Sequence, residues 1–314
     1  MGAASVGENP SHSDSNGTGA AVPSGAPGSS APLVAAAGAA TRLTPEYRET
    51  AFFDEAGRLV FRTEPVGDSR GTLVMASSLF AEFQRNYRRE VLVARAAAAD
   101  GITSLRFHYR GAGNSLAGGP PTLDTMTDDL AEVAAAATGP VVLCGTRLGA
   151  LAVARLRARL DVPVVLWEPV LDGARWVEEV IRACLAREVA QGAAVNADSV
   201  RARWASDGVV FVLGETVPAE IVGQVGAADL AAEMAGDAPV LLVQMGRNDR
   251  MRPDIDRAGL ALAERGMAVS VLPVVGRQTW WVNEGGDLFR PLERDEATAT
   301  LIDGILAFVG SSLP

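Results

Sequence analysis

The feature that most limits the fold of this chain is a recurring unit, a short apolar run followed by a longer segment with helical apolar spacing. The runs lie at 72–76, 104–109, 141–144, 162–166, 240–245 and 268–272, and helical patterns at 87–99, 126–137, 150–160, 253–265 and 293–309 stand between or after them. A strand that is apolar on both sides of its pleat needs cover above and below. The alternation therefore predicts an α/β protein with a mostly parallel sheet and helices on both faces. Two further stretches, 50–54 and 58–62, alternate in polarity around Glu55, Ala56 and Gly57 and read as a hairpin, which brings the expected sheet to eight strands.

The alternation pauses over 171–236, where Trp176, Val177, Val180, Ile181, Cys184 and Leu185 form one helical stripe and no strong strand is evident. A segment of that length is too long for an ordinary connection and reads as a helical lid over the sheet's active end. The expected organisation is a core formed by 42–170 and 237–314, interrupted by the lid at 171–236. Residues 1–41 are rich in Gly, Ala, Ser and Pro, hold no aromatic side chain and read as a disordered tail. They have neither the cationic start nor the apolar stretch of a signal peptide, so a cytoplasmic protein is expected. At 314 residues and 48% hydrophobic, the chain can bury one sizeable core plus an insertion.

Charge and cysteine usage exclude several classes. The net charge is -10 and every basic residue is arginine, which gives no electrostatic footprint for nucleic acid. No apolar run reaches the about 18 residues of a membrane span. The two cysteines, Cys144 and Cys184, are too few for a disulfide framework or a closed zinc site, so no metal and no cofactor are expected.

The chemistry should sit where the run at 141–144 meets Gly145, Thr146, Arg147, Leu148 and Gly149. A strand that enters a glycine turn and then a helix has the layout of a nucleophile elbow, G-x-S-x-G, and here arginine stands at the serine position. The chain has two histidines, His12 in the tail and His108 at the end of the run at 104–109. No imidazole follows His108, so a Ser-His-Asp relay has neither its nucleophile nor its usual proton carrier.

The order of elements, the elbow and the late insertion resemble the α/β-hydrolase superfamily. On that resemblance the nucleophile position falls on Arg147 and the acid position on Asp249, within Gly246, Arg247, Asn248 and Asp249. The histidine position falls within 276–281, closest to Gln278. The motifs are most similar to those of the type-2 hydrolases associated with exosortase systems. They are Leu79 to Glu82 with the Arg- and Asn-rich 84–89, Tyr109-Arg-Gly-Ala-Gly-Asn-Ser115, Gly145-Thr-Arg-Leu-Gly-Ala150, Leu166-Trp-Glu-Pro-Val170, 218–230, and Gly276 to Trp280 with Glu284. That branch tends to write Arg-Leu-Gly at its elbow, which makes Arg147 part of a family pattern. The resemblance places an oxyanion loop at Ser77, Ser78 and Leu79. Thr146, Leu148, His108, Trp167, Glu168 and Trp280 are the other residues expected around a ligand.

Two readings of Arg147 stand. At the start of a helix its guanidinium is suited to a carboxylate or phosphate, or it can fold back onto Asp249, because a buried cation needs a partner. Asp249 is then either that counter-ion or a general base, although a carboxylate beside arginine is a poor base near neutrality. Thr146 and Cys144 are the nearest substitute nucleophiles, and His108 is the sole core imidazole. The expectation is a degenerate hydrolase that binds a small anionic or acyl-bearing ligand or a partner enzyme. The alternatives are an esterase, thioesterase or acyltransferase with Asp249 or His108 as base, and a structural subunit with a sealed site.

Overall fold

The computed structural model describes residues 39–116, 118–276 and 295–314. Strands β1 (Ala40–Leu43), β2 (Tyr47–Phe53) and β3 (Leu59–Pro65) form an antiparallel meander, joined through β3 to β5 (Thr103–Phe107). From there the sheet is parallel, through β4 (Thr72–Ala76), β6 (Val141–Thr146), β7 (Val164–Trp167), β10 (Val240–Gly246) and β11 (Val269–Val275). The spatial order is β1-β2-β3-β5-β4-β6-β7-β10-β11. The sheet thus has nine strands among the described residues and not eight. The additional strand, β1, pairs with β2 and takes in residues 40 and 41 of the expected tail.

Period-two alternation sorts the strand residues into two cores. Val74, Leu105, Leu143, Leu166 and Leu242 face one layer, with α2 (Leu123–Ala135), α3 (Leu148–Arg157) and α8 (Pro253–Glu264). Leu73, Met75, Cys144, Val165, Trp167 and Val243 face the other, with α1 (Phe80–Ala99) and α9 (Glu296–Ser312). Helix α1 begins seven residues before the expected start at Tyr87. The stretch 80–86 carries Glu82 and Asn86 on its buried face, so apolar spacing alone passes it over.

The segment between β7 and β10 holds α4 (Gly173–Ala190), α5 (Ala197–Asp207), α6 (Ala219–Gly226) and the short α7 (Leu230–Glu233). It also contains an antiparallel hairpin, β8 (Val209–Val212) and β9 (Glu215–Pro218), where an all-helical insertion was expected. These four-residue strands pair with each other and not with the main sheet. A strand that short carries too few residues to show its alternation in sequence. Among the described residues no helix is long and apolar enough to cross a membrane.

Candidate functional site

Strands β4, β6 and β7 run parallel and side by side, and a residue with positive φ follows each: Arg147 (51°) directly after β6, Glu168 (46°) directly after β7 and Phe80 (56°), at the start of α1, four residues past β4. Such backbone is costly for a side chain with a Cβ, and three cases along one sheet edge mark a built site. Arg147, with ψ -114°, is the N-cap of α3. It is held by the Arg147 amide donating to Trp167 O at 3.0 Å and by Arg147 O accepting from Ala150 at 3.0 Å. A Cβ on Gly149 would lie 2.0 Å from Ala76 O, so glycine at this position lets α3 approach β4.

The Arg147 side chain does not reach Asp249. Its Nε and Nη2 donate to Glu82 Oε1 at 2.9 and 2.8 Å, and Nη2 also bonds Glu179 of α4. Glu82 lies in the first turn of α1, fully buried, and accepts a further bond from Ser78 Oγ at 2.6 Å. Burial pushes the guanidinium pKa down, but the Glu82 and Glu179 carboxylates outweigh this and hold it above the ordinary arginine value. Asp249 is exposed on the loop after β10 and pairs with no described residue. Arg147 emerges beside a carboxylate that is already desolvated and oriented, whereas Asp249 would have to give up its hydration to pair.

Glu168, fully buried beyond β7, accepts from the Met245 amide and from Arg252 Nη1 at 2.9 Å. Arg252 also pairs with Asp254, which in turn meets Arg175 of α4. The insertion is therefore tied to the core by ionic contacts of Glu179 with Arg147, Arg175 with Asp254 and Glu233 with Arg155.

Beneath the elbow, Ser77 Oγ donates to Glu90 Oε2 at 2.5 Å and Asn86 Nδ2 to Glu90 Oε1 at 3.3 Å, and Thr146 also hydrogen-bonds to Glu90. Burial raises the Glu90 pKa despite these donors and the nearby Arg106 charge. The hydroxyls of Ser77 and Ser78 are thus both engaged by carboxylates. Leu79 is the N-cap of α1 and supplies no side-chain cap. Leu148 opens α3 and is fully buried. Trp167 packs in the core on the α1–α9 side of the sheet and Trp176 on the opposite side, near Phe80. Cys144 is buried, its pKa pushed far up by desolvation, and Thr146 has Glu90 as its partner. Gln278, Trp280 and Trp281 lie outside the described residues.

His108 stands apart from this network. Its Nδ1 accepts from the Asn114 amide at 3.0 Å, its ring packs against Phe61, Phe83 and Tyr87, and burial with the nearby Arg106 charge pulls its pKa down to about 4. It lines a cavity of about 640 Å³ that also takes in Ser77, Leu79, Gln84, the glycine-rich turn after β5 and the β8–β9 hairpin. Among the described residues no cluster of three or more His, Cys, Asp or Glu side chains is placed to hold a metal ion.

Sequence reasoning missed Glu82, Glu90, Glu179 and Arg252. Glu82 belongs to the Leu79–Glu82 motif and could have been found as an acidic residue in the first turn of a helix. Glu179 and Arg252 are separated from Arg147 and Glu168 by 32 and 84 positions, and no local signal links them.

No protein-family model and no curated protein sequence matches the chain. Solved structures do match its architecture. Est1E from Butyrivibrio proteoclasticus, bound to ferulic acid, is 13% identical with a TM-score of 0.58, the match covering 83% of this chain and 98% of that one. An esterase from Pyrococcus furiosus is 13% identical, TM-score 0.54, covering 90% of this chain and 97% of that one. Mouse alpha/beta hydrolase domain-containing protein 10 is 13% identical, TM-score 0.53, covering 88% of this chain and 99% of that one. The fold is the α/β-hydrolase fold.

Proposed function

From a hydrolase fold with arginine at its elbow, we propose that this protein is a non-hydrolytic member of that architecture, which binds a small acyl-bearing ligand at the carboxyl edge of its sheet. The observation that carries the proposal is the pairing of Arg147 with Glu82 and Glu179. A serine hydrolase needs a nucleophile and an adjacent base at the elbow. Here the elbow side chain is a cation already neutralised by two carboxylates, so the anion that Arg147 holds is supplied by the protein itself. Asp249 is too exposed to orient a base, and His108 uses one ring nitrogen as an acceptor for the backbone.

On this reading the 171–236 insertion is a lid fastened by Arg147–Glu179 and Arg175–Asp254. The short motifs shared with the exosortase-associated type-2 hydrolases support the idea that the arginine elbow is a pattern inherited from that branch. The test is a fluorophosphonate probe together with a panel of activated esters. The expected result is no stoichiometric labelling and no turnover above a mock purification. Labelling of the chain, or turnover that disappears in Asp249→Asn, would overturn the proposal.

A further inference from the structure

Among the described residues the buried arginines are Arg58, Arg89, Arg106, Arg147 and Arg157. A buried guanidinium is costly unless something pairs with it. Arg58 meets Asp54, Asp129 and Glu132, Arg147 meets Glu82 and Glu179, and Arg157 meets Asp161. Arg106 lies over the rings of Phe61 and Tyr87. Arg89 has no carboxylate in ion-pair contact and no ring among the described residues, and its Nε is buried without a hydrogen-bond partner. Burial pulls all these charges toward the neutral form. For Arg58 and Arg147 the carboxylates outweigh it, whereas for Arg89 burial wins, with only the nearby Asp295 charge opposing it.

Arg85, Arg89, Leu92 and Ala96 form one stripe of α1, and the last two pack into the core layer shared with α9. The stripe follows the seam between the two helices, and α9 begins beside its arginines, since the charge of its N-cap Asp295 reaches Arg89. Asp295 is exposed and accepts the Thr298 amide at 2.7 Å. The carboxylates of α1 are committed elsewhere, Glu82 to Arg147 and Ser78, Glu90 to Ser77, Asn86 and Thr146. Burial also pulls the Arg85 guanidinium down, and Arg88 stands exposed on the same flank. In a chain of net charge -10, the arginines of the 84–89 run thus make a local excess of positive charge with a desolvated member. The two Nη atoms of Arg89 bond no described residue and, unlike Nε, are not sealed, so the 4% of the residue that stays accessible includes the end of its fork.

We infer that this end of the α1–α9 seam binds a phosphate group, with Arg89 as the buried anchor and Arg85 and Arg88 beside it. The guanidinium fork matches the oxygens of a phosphate, and a dianion suits a group of cations better than a monoanion does. Arg85, Arg88 and Arg89 line neither the cavity beside His108 nor the Arg147 cluster. The phosphate site and the acyl-ligand reading therefore stand or fall separately.

Inorganic phosphate, glycerol 2-phosphate and acetate are titrated by calorimetry into the full chain, at an ionic strength held constant with sodium chloride. The expected result is one saturable site for phosphate, with acetate at least about tenfold weaker. Arg89→Met should weaken phosphate by at least about tenfold, and Arg85→Gln by less. Arg70→Gln, which removes an exposed arginine paired with Asp100, should change nothing. Because Arg89→Met removes an unpaired buried cation, its urea midpoint without phosphate should be no lower than that of the unmodified chain. Added phosphate should raise the midpoint of the unmodified chain and not that of the variant. A lower midpoint for Arg89→Met without phosphate would show that the chain itself compensates this charge and would overturn the site. So would the absence of saturable binding, equal affinity for phosphate and acetate, or binding indifferent to Arg89→Met. Either source of the group fits: an ester that binds at least as tightly as the free ion marks a phosphorylated small molecule, and binding of the ion alone marks free phosphate.

Discussion

Arg147 Nη2 lies 2.8 Å from Glu82 Oε1, and Glu82 has no exposed surface, so the charge at the elbow is neutralised inside the protein. The elbow, the first turn of α1 and helix α4 of the insertion meet at this one guanidinium. A planar fork with several donors can serve two carboxylates at once, which a lysine ammonium would do with less geometric definition. The positive-φ backbone of this turn presents a buried, paired cation.

Removing one partner of this cluster should cost more than removing it entirely. Glu82→Gln takes from Arg147 its fully buried carboxylate partner and leaves the partly exposed Glu179 in place, and a loss of about 3 kcal/mol is expected. Glu82→Leu combined with Arg147→Met, similar in volume and free of charge, should recover most of that loss. Urea denaturation of Glu82→Leu, Arg147→Met and the double variant forms the cycle, with Glu82→Gln as the isosteric comparison. Equal destabilisation of Glu82→Gln and the double variant would show that the pair is not coupled.

His108 makes stability fall with acidification. Its folded pKa of about 4 lies below the ordinary 6.5, so between these values the unfolded chain binds the extra proton and the folded chain does not. The contribution is complete above 6.5 and is lost as pH falls through that window. The gap corresponds to about 3 kcal/mol. Glu90 acts in the opposite sense, since its raised pKa gives stability at acid pH that is lost as pH rises above 4.5. Comparing the chain with His108→Phe isolates the histidine: the variant should lose less stability between pH 7 and pH 4. Parallel pH profiles would contradict a neutral, buried His108.

Neither cysteine should react while the protein is folded. Burial raises the Cys144 thiol far above its ordinary value and the nearby Glu90 raises it further, while Cys184 is pushed up to about 11, first by burial and then by Glu188. The thiolate is the reactive form, so Ellman's reagent at pH 8 should leave both thiols intact until denaturant is added. Rapid stoichiometric reaction in the native state would reopen Cys144 as a nucleophile.

The sheet was legible in the sequence because its inner strands are buried on both faces and written as continuous apolar runs, and each of the six runs, the half-exposed edge strand β11 included, coincides with a strand to within a few residues. Strands β1, β8 and β9 were not, because four residues at an edge or in a hairpin carry little pattern. At the site, the turn around Arg147 was readable from Gly145 and Gly149, since close packing there demands glycine. The identity of its partners was not. Glu82 and Glu179 come from different elements, and which carboxylate meets a cation is fixed by tertiary packing and desolvation, whereas the expectation of Asp249 rests only on its position after a strand in the resembled pattern.

Gly113 should tolerate no side chain, although it lies in a surface turn. Its φ is +56°, and an added Cβ would lie 2.5 Å from His108 Nδ1, the atom that accepts the Asn114 amide. Gly113→Ala must either displace the ring or distort the turn, and a destabilisation of about 2 kcal/mol is expected from strained backbone plus a lost buried hydrogen bond. Gly119, where an added Cβ meets nothing within 4 Å, provides the control. Gly119→Ala should leave the stability measured by urea denaturation near that of the unmodified chain, and an equal loss in the two variants would show that the turn is merely fragile and that the contact with His108 carries no special weight.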